Sequence, residues 1–373
     1  MKIGITCYPT YGGSGVVATE LGKKLADLGH EIHFISYALP YRLNTFTNNI
    51  FFHEVDVLNY PLFEYPPYSL SLASKMAEII EYQELDLLHV HYAIPHATSA
   101  FLAKQLLGDR EIKVITTLHG TDITLLGSDP SFFKITKFSI EQSDGITAVS
   151  NYLKKETVDV FAINKHIEVI PNFIPIEIST PLHRNELRKR FAEQDELIIT
   201  HISNFRPLKR IADIVPIAAK LLEKHKIKVL MVGDGPERYH AEEQARNAKI
   251  CDRVIFLGKQ EKINDILSIT DIALFPSASE SFGLAALESM AFGIPVVSSN
   301  AGGLVEVNQN GRTGYTLDVG DIDAFVDALD DLLKDPGKRT MMGRAAQQFA
   351  REHYAAEIVI PKYLQYYESV IRG

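Results

Sequence analysis

Two glutamates on either side of a glycine-containing turn form the pattern with the clearest chemical meaning. Residues 279–288 read SESFGLAALE and follow an apolar, strand-like run. The N–H groups at the start of a helix attract an anion. Glu288 would lie about 9 Å along that helix and Glu280 before it, so the two carboxylates suit hydroxyl groups on either side of a bound diphosphate. Alternatively, Glu280 is a helix-start carboxylate and Glu288 a solvated residue, although its apolar neighbours weaken that interpretation.

A basic turn follows another predicted strand of the same half. Residues 203–210 read SNFRPLKR, which places three cations within five residues at the carboxyl end of the strand. Arg and Lys there could stabilise the charge that develops on a departing diphosphate. A solvated turn is the alternative, and the predicted position at a ligand cleft favours the functional interpretation.

Glycines and histidines carry the pattern in the first half. Residues 12–15 read GGSG between a strand and a helix, where glycine lets the backbone approach an anion. The spacing is not that of a dinucleotide-binding fingerprint, so a ligand loop and a plain turn stay equally open. His119 ends a strand with Thr117 on the same face, and could contact a sugar or an acceptor. A structural histidine, with Asp122 as a local N-cap, is the alternative.

The sequence predicts no metal site. His89 and His91 share a strand face near His96, but no further ligand follows at a convincing spacing. The Asp-x-Asp at 321–323 is explained by helix capping. We therefore expect neither a catalytic metal nor a cofactor.

The composition limits the class of protein. With 373 residues, 46% of them hydrophobic, the chain is long enough for two globular cores, and its net charge of −9 argues against a nucleic-acid surface. The sequence starts directly with a strand pattern, and no apolar run approaches the roughly 20 residues of a membrane span, so we expect no signal peptide and no stable membrane insertion. The distant Cys7 and Cys251 favour a reducing, cytoplasmic setting.

Strand and helix patterns alternate along the chain, and the alternation restarts after residue 175. Seven strand candidates precede this point and six follow it, which predicts an α/β protein with two doubly wound, Rossmann-like domains facing each other across a cleft. We predict an N-terminal domain at 1–170, a proline-containing linker at 171–175 and a C-terminal domain at 176–356. A helix at about 357–373 could pack on either domain.

Together, these motifs resemble those of the family-4 retaining glycosyltransferases of the GT-B type. The resemblance covers essentially the whole chain, and the Glu280 and Glu288 motif is its most specific element. It implies an acceptor-binding first domain, a nucleotide-sugar-binding second domain, retention of anomeric configuration and no metal.

The resemblance also implies roles for individual residues. Lys209 would neutralise the leaving group, Glu280 would contact the transferred sugar, Glu288 the ribose, and His119 the sugar near the reacting carbon. The implied catalytic residues are His119, Lys209, Arg206 and Glu280. The implied donor-binding residues are Gly12, Gly13, Asn204, Glu280, Ser281, Phe282, Gly283, Leu284 and Glu288. The implied acceptor-binding residues are Ser14, Tyr92, Thr117, His119 and Arg206.

One position departs from the family pattern. An arginine usually stands where this chain has Asn204, and here an arginine appears at 206 instead. Arg206 either takes over the phosphate role or binds the acceptor.

Residues 91–97, 119–122 and 204–210 resemble those of family members that act in bacillithiol synthesis. That likeness implies UDP-N-acetylglucosamine as donor and L-malate as acceptor, and a dicarboxylate suits the nearby cation and hydroxyl groups. Residue chemistry alone leaves three alternatives open: another small or lipid acceptor, a UDP-sugar epimerase, and a non-catalytic nucleotide-sugar sensor. Homo-oligomerisation also stays open.

Overall fold

A computed structural model describes residues 1–10, 12–43, 47–57, 62–125, 127, 129–174 and 183–373. They form two compact units, the first made of Met1–Asn172 with Ala356–Gly373 and the second of Phe173–Ala355. The predicted linker at 171–175 spans the boundary, and its residue 175 lies outside the described residues, as do residues 176–182 of the predicted second domain.

The first unit is built on a parallel sheet in the order β3-β2-β1-β4-β5-β6-β7. Its strands are β1 (Lys2–Thr6), β2 (Glu31–Ser36), β3 (Ile50–Glu54), β4 (Leu87–His91), β5 (Lys113–Leu118), β6 (Gly145–Ala148) and β7 (Glu168–Val169). The central strand β4 is buried at every residue, as expected for a parallel sheet covered on both faces.

Five helices of the first unit lie between these strands. They are α1 (Gly13–Asp27), α2 (Tyr68–Gln83), α3 (Thr98–Leu106), α4 (Pro130–Gln142) and α5 (Asn151–Phe161), with π turns at Ala93–Ala97 and Thr121–Leu125. Helix α1 is followed by Gly29 at a φ of +86°, the left-handed conformation with which glycine commonly ends a helix. Helix α3 starts at Thr98, directly after the π turn at Ala93–Ala97, in which Ile94 has extended backbone angles.

The second unit has a parallel sheet in the order β10-β9-β8-β11-β12-β13. Its elements are α6 (Arg184–Phe191), β8 (Leu197–Ile202), α7 (Ile211–Leu222), β9 (Ile227–Val232), α8 (Arg238–Asn247), β10 (Val254–Gly258), α9 (Ile263–Ile269), β11 (Ile272–Phe275), α10 (Leu284–Ala291), β12 (Val296–Ser299), α11 (Leu304–Val307), β13 (Gly314–Leu317), α12 (Ile322–Lys334) and α13 (Pro336–Tyr354). The sequence patterns did not predict α6, which buries no residue, or α11, which is a single turn.

The winding direction of each sheet reverses between two neighbouring strands. The reversal falls between β1 and β4 in the first unit and between β8 and β11 in the second. The loops that leave such a strand pair diverge and expose a crevice at the carboxyl ends of the strands, where ligands of open α/β sheets bind.

The last helix, α14 (Ala356–Arg372), belongs to the first unit although it follows the second unit in sequence. The Tyr366 hydroxyl accepts a 2.8 Å hydrogen bond from the Ile146 backbone of β6, and Tyr363 and Tyr367 are fully buried. No helix within the described residues has both the length and the apolar character that crossing a membrane requires.

Candidate active site

The loops after β8 and β11 meet at the reversal point of the second sheet. The Ala278 N–H donates to the Leu208 carbonyl at 2.7 Å. Lys209 Nζ donates to Glu280 Oε1 at 2.5 Å, and both side chains are only 15% exposed. The Ser277 hydroxyl donates to the same carboxylate oxygen at 3.2 Å. A lysine and a glutamate, both singled out from sequence, are thus paired in a partly desolvated position.

A third loop, after β12, supports the glutamate. The Gly303 N–H donates to the Glu280 carbonyl at 2.7 Å. A Cβ atom on Gly303 would lie 2.4 Å from the Ser281 carbonyl oxygen and 2.8 Å from Phe282 Cα, so only glycine fits. The AGG sequence at 301–303 therefore holds the Glu280 segment in place.

Helix α10 starts directly after this segment. Gly283 is its N-cap with φ of +96°, a left-handed conformation that favours glycine, and a Cβ there would lie 2.7 Å from Leu304 Cδ2. Since the first helical residue is Leu284, the half-buried Glu288 lies about 6 Å along the axis, and the predicted 9 Å was too long. The N-terminal end of α10 favours an anion beside the Lys209 and Glu280 pair.

The basic turn after β8 is anchored through its central aromatic residue. Phe205 is fully buried, its N–H donates to the Asp234 carbonyl at 3.0 Å, and its carbonyl accepts from the Glu237 N–H at 2.9 Å. Its neighbours Asn204 and Arg206 are exposed. Among the described residues, the Arg206 guanidinium forms no ion pair, which leaves it available to a ligand.

Two glycines in the turn after β9 support this anchor. A Cβ on Gly235 would lie 2.6 Å from the Phe205 carbonyl oxygen, and one on Gly233 would lie 1.8 Å from that of Ser203. The turn at 233–235 is therefore the surface on which the basic turn rests.

His201 is a further residue below this site, and sequence reasoning missed it. Its Nδ1 lies 2.8 Å from the Leu274 carbonyl, which can only accept, so the proton is on Nδ1 and Nε2 accepts from the Ser203 hydroxyl at 2.7 Å. Burial, and to a lesser extent the Lys209 charge, lower the pKa of His201 to about 4. The neutral ring joins β8 to β11 below the basic turn.

In the first unit, three histidines form a layer at the carboxyl ends of β4 and β5; we call His89, His91 and His119 the histidine layer. His91 Nδ1 and His119 Nε2 are 2.8 Å apart and hydrogen-bonded. The Tyr92 ring lies 5.3 Å from the His119 ring, and Tyr92 has φ of +88°, a strained conformation of the kind found at functional sites. Burial lowers the pKa of His119 to about 3, so the layer is neutral near pH 7.

A buried carboxylate connects the loops that carry these residues. Asp122 Oδ2 accepts from the Ala93 N–H at 2.9 Å, and Oδ1 accepts from the N–H groups of Gly120 at 2.9 Å and His119 at 3.4 Å. Burial raises the pKa of Asp122 to about 6, although the backbone hydrogen bonds oppose that shift. Asp122 is therefore more than the local cap suggested by the sequence, because it joins the loop after β4 to the loop after β5.

Thr117 lies one layer below the surface. It is fully buried, and its hydroxyl is 2.7 Å from His89 Nε2 and 2.6 Å from the Thr147 hydroxyl. This placement corrects the predicted contact with an acceptor, since the hydroxyl is already bonded within the core.

The glycine-rich turn after β1 leads directly into α1. Gly13 is the first helical residue and Gly12 is the N-cap; both are exposed, and Ser14 is half-buried. A Cβ on Gly15 would lie 2.5 Å from the Tyr8 carbonyl oxygen, which explains the third glycine. The start of α1 thus presents backbone donors after β1, the strand that pairs with β4.

No group of three or more His, Cys, Asp or Glu side chains within the described residues is placed to hold a metal ion. Both nitrogens of His89 are bonded, to Thr117 and Tyr367, and His91 Nδ1 is bonded to His119. Nε2 of His91 and Nε2 of His96 are buried without a hydrogen-bond partner among the described residues.

Comparison with known proteins decides the family. The family described as "Glycosyltransferase Family 4" matches residues 11–178, and "Glycosyl transferases group 1" matches residues 183–349. The chain is 49% identical over 373 residues to N-acetyl-alpha-D-glucosaminyl L-malate synthase of Bacillus anthracis, covering 100% of this chain and 98% of that protein. The chain belongs to the family-4 glycosyltransferases.

Other relatives and solved structures agree with this assignment. The glycosyltransferase is 26% identical to the GPI3 subunit of Saccharomyces cerevisiae phosphatidylinositol N-acetylglucosaminyltransferase, over 83% of this chain and 69% of that one. Sucrose-phosphate synthase from Thermosynechococcus elongatus superposes with a TM-score of 0.81 at 20% identity, covering 100% and 99% of the two chains. Anabaena HepE in complex with UDP and glucose gives 0.84 at 18% identity, covering 99% and 100%. The predicted family and GT-B fold are confirmed.

The structure of this glycosyltransferase brings the predicted residues together in two groups. In the second unit, the segment 280–284, Lys209 and the 301–303 loop form one site. In the first unit, His119 and Tyr92 are neighbours on the joined loops. His201 lies beneath the basic turn of the second-unit group, and Asp122 joins the two loops of the first-unit group. No short sequence motif identifies either residue.

Proposed function

We propose that this glycosyltransferase transfers N-acetylglucosamine from UDP-N-acetylglucosamine to L-malate with retention of configuration, as a step of bacillithiol synthesis in the cytoplasm. The observation that carries the proposal is the 49% identity, over the full length of this chain, to a protein named for making N-acetylglucosaminyl malate. The Lys209 and Glu280 pair beside the α10 N-terminus supports it, because a nucleotide diphosphate and a sugar need that chemistry.

The second unit would bind the donor. In this proposal Lys209 moves from Glu280 to the diphosphate, and the carboxylate then accepts hydrogen bonds from sugar hydroxyls. The N–H groups of Gly283 and Leu284 also face the phosphates, and Glu288 binds the ribose. Each of these donors stabilises the negative charge that grows on UDP as it leaves.

The reaction requires no nucleophile from the protein. The bond between the anomeric carbon and the phosphate oxygen breaks, the malate hydroxyl oxygen bonds to that carbon, and the hydroxyl proton passes to the departing phosphate. Retention follows if malate attacks from the face that UDP leaves. We propose that no metal or other cofactor takes part, since Lys209 and helix N–H groups supply the positive charge.

The first unit would contact the sugar and bind the acceptor. His119 uses Nε2 for His91, so only Nδ1 is left for a sugar hydroxyl. A neutral imidazole suits this task, because it forms a hydrogen bond without adding charge near the reacting carbon. Ser14 and Tyr92 offer hydroxyls to malate, and the Arg206 guanidinium suits a carboxylate.

The test is UDP release from UDP-N-acetylglucosamine with and without L-malate, in the presence of EDTA. We expect malate-dependent release that survives EDTA, with N-acetylglucosaminyl malate as product. Release that appears only with another acceptor would refute malate. An isomerised donor formed without an acceptor would identify an epimerase, and UDP-sugar binding without turnover would identify a sensor.

A further inference from the structure

The C-terminal helix contributes a tyrosine to the histidine layer. Tyr367 is fully buried, and its hydroxyl lies 2.7 Å from Nδ1 of His89, a residue 278 positions earlier in the chain. The other ring nitrogen of His89 lies 2.7 Å from the Thr117 hydroxyl. Both nitrogens of a fully buried imidazole therefore have a partner, and one of the two is supplied by α14.

The His89 ring is the support for the outer part of the layer. Its centroid lies 4.4 Å from that of His91, so the two rings are in contact. His91 in turn bonds to His119, as described above, and Thr117 of β5 is two residues before His119, which directly follows that strand. His89 thus influences His119 indirectly, through the ring of His91 and through Thr117 of β5.

Hydrogen bonding fixes the His89 ring in one orientation. Burial lowers the pKa of His89 to about 3, so the ring is neutral, with one donor and one acceptor nitrogen. Whichever nitrogen carries the proton, Tyr367 and Thr117 can supply the complementary partners, because hydroxyls both donate and accept. Without the tyrosine hydroxyl, Nδ1 would be buried with no partner, which favours rotation of the ring.

We propose that Tyr367 is a positioning residue for sugar transfer: its hydroxyl orients His89, against which His91 packs, and so holds His119 in the geometry that contacts the sugar. This inference rests on the proposed function for the role of His119. Tyr367 itself touches no substrate, so its effect should appear in the rate of transfer more than in substrate binding.

The same helix offers a matched control. Tyr366 also has a hydroxyl bonded inside the first unit, but to the backbone N–H and carbonyl of Ile146, at 2.8 and 3.1 Å. Tyr366→Phe removes the same atom from the same helix without touching the histidine layer. Tyr367→Phe and Tyr366→Phe should therefore differ in catalysis even where their thermal stabilities fall together.

The experiment measures kcat, both KM values and the thermal midpoint of the full-length enzyme, with 15N-histidine NMR of each protein without substrate. We expect Tyr367→Phe to lower kcat about 10-fold, to leave the donor KM within about twofold, and to shift the ring-nitrogen resonances of His119. Tyr366→Phe should keep kcat within about twofold and leave those resonances in place.

Two results would overturn the inference: unchanged His119 resonances and kcat in Tyr367→Phe, or an equal loss of kcat in Tyr366→Phe. If Tyr367→Phe does not fold, the nearly isosteric Thr117→Val removes the other partner of His89, and the same loss and the same shift are expected. If the wild-type enzyme does not use malate, the proposed function fails, while the NMR comparison still tests the positioning by Tyr367.

Discussion

Asp122 should make the stability of the first unit depend on pH in an unusual direction. Burial raises the pKa of this carboxyl from its ordinary value of 3.8 to about 6. A carboxyl with a raised pKa contributes most to folding when it is protonated in both states, and that contribution is lost as the pH rises through about 6. Most structural carboxylates show the opposite trend.

The size of the effect follows from the shift. A pKa of Asp122 raised from 3.8 to about 6 corresponds to about 3 kcal/mol of folding free energy. Asp122→Asn keeps the shape of the side chain and does not titrate, so the free energy of unfolding of wild type minus that of the variant should fall by about 3 kcal/mol between pH 4 and pH 7. In a unit of this size that is about 6–12 °C in the difference between thermal midpoints.

The assay is thermal unfolding of both proteins at half-unit steps from pH 4 to pH 7. Asp129→Asn is the matched control, because Asp129 is an exposed N-cap whose pKa is lowered by hydrogen bonds from Ser131. Its contribution should be lost only as the pH falls below about 4, so the difference between wild type and Asp129→Asn should stay nearly constant from pH 4 to pH 7. A difference between wild type and Asp122→Asn that is flat, or that grows with pH, would refute the account of Asp122.

Three further predictions concern the second unit. Lys209→Met should lower kcat/KM about 10²- to 10³-fold, because it removes a cation from the departing diphosphate, while circular dichroism should show normal folding. A loss of less than 10-fold would exclude that role. Gly303→Ala should destabilise the protein by about 1–3 kcal/mol and weaken UDP binding in calorimetry, because its Cβ would lie 2.4 Å from the Ser281 carbonyl oxygen. An unchanged thermal midpoint would mean that the loop can move aside. Arg206→Ala should leave the thermal midpoint unchanged and raise the KM for malate alone, whereas a loss of UDP affinity would assign Arg206 to the donor.

The sequence predicted the family and the fold, and it singled out the second-unit loops that meet in the structure, because these features depend on local patterns. Strands and helices alternate visibly, and the loop residues at 203–210 and 279–288 are the ones that meet. Residues that act across the sheet could not be predicted in the same way. Asp122 binds the backbone of Ala93, 29 residues earlier, and no spacing rule indicates that pairing.

Thr117 shows the limit of a periodic pattern. Alternation along β5 correctly places it on the same face as His119, but does not tell which part of that face is covered. Helix α14 packs against β5 and places the buried Tyr363, which is remote in sequence, beside Thr117, so the burial of Thr117 depends on where the last helix packs.

That last helix also has a consequence for how the protein forms during synthesis. The first unit lacks α14 until the 183 residues from Phe173 to Ala355 have been made. During that interval His89 has no tyrosine partner, and the face of the sheet that receives Tyr363 and Tyr367 is open to water. The second unit can therefore complete its fold while the first is still incomplete, although translation begins with the first. Closing the first unit is a long-range step, so a released chain that ends at residue 355 should have a folded second unit and a protease-sensitive first one.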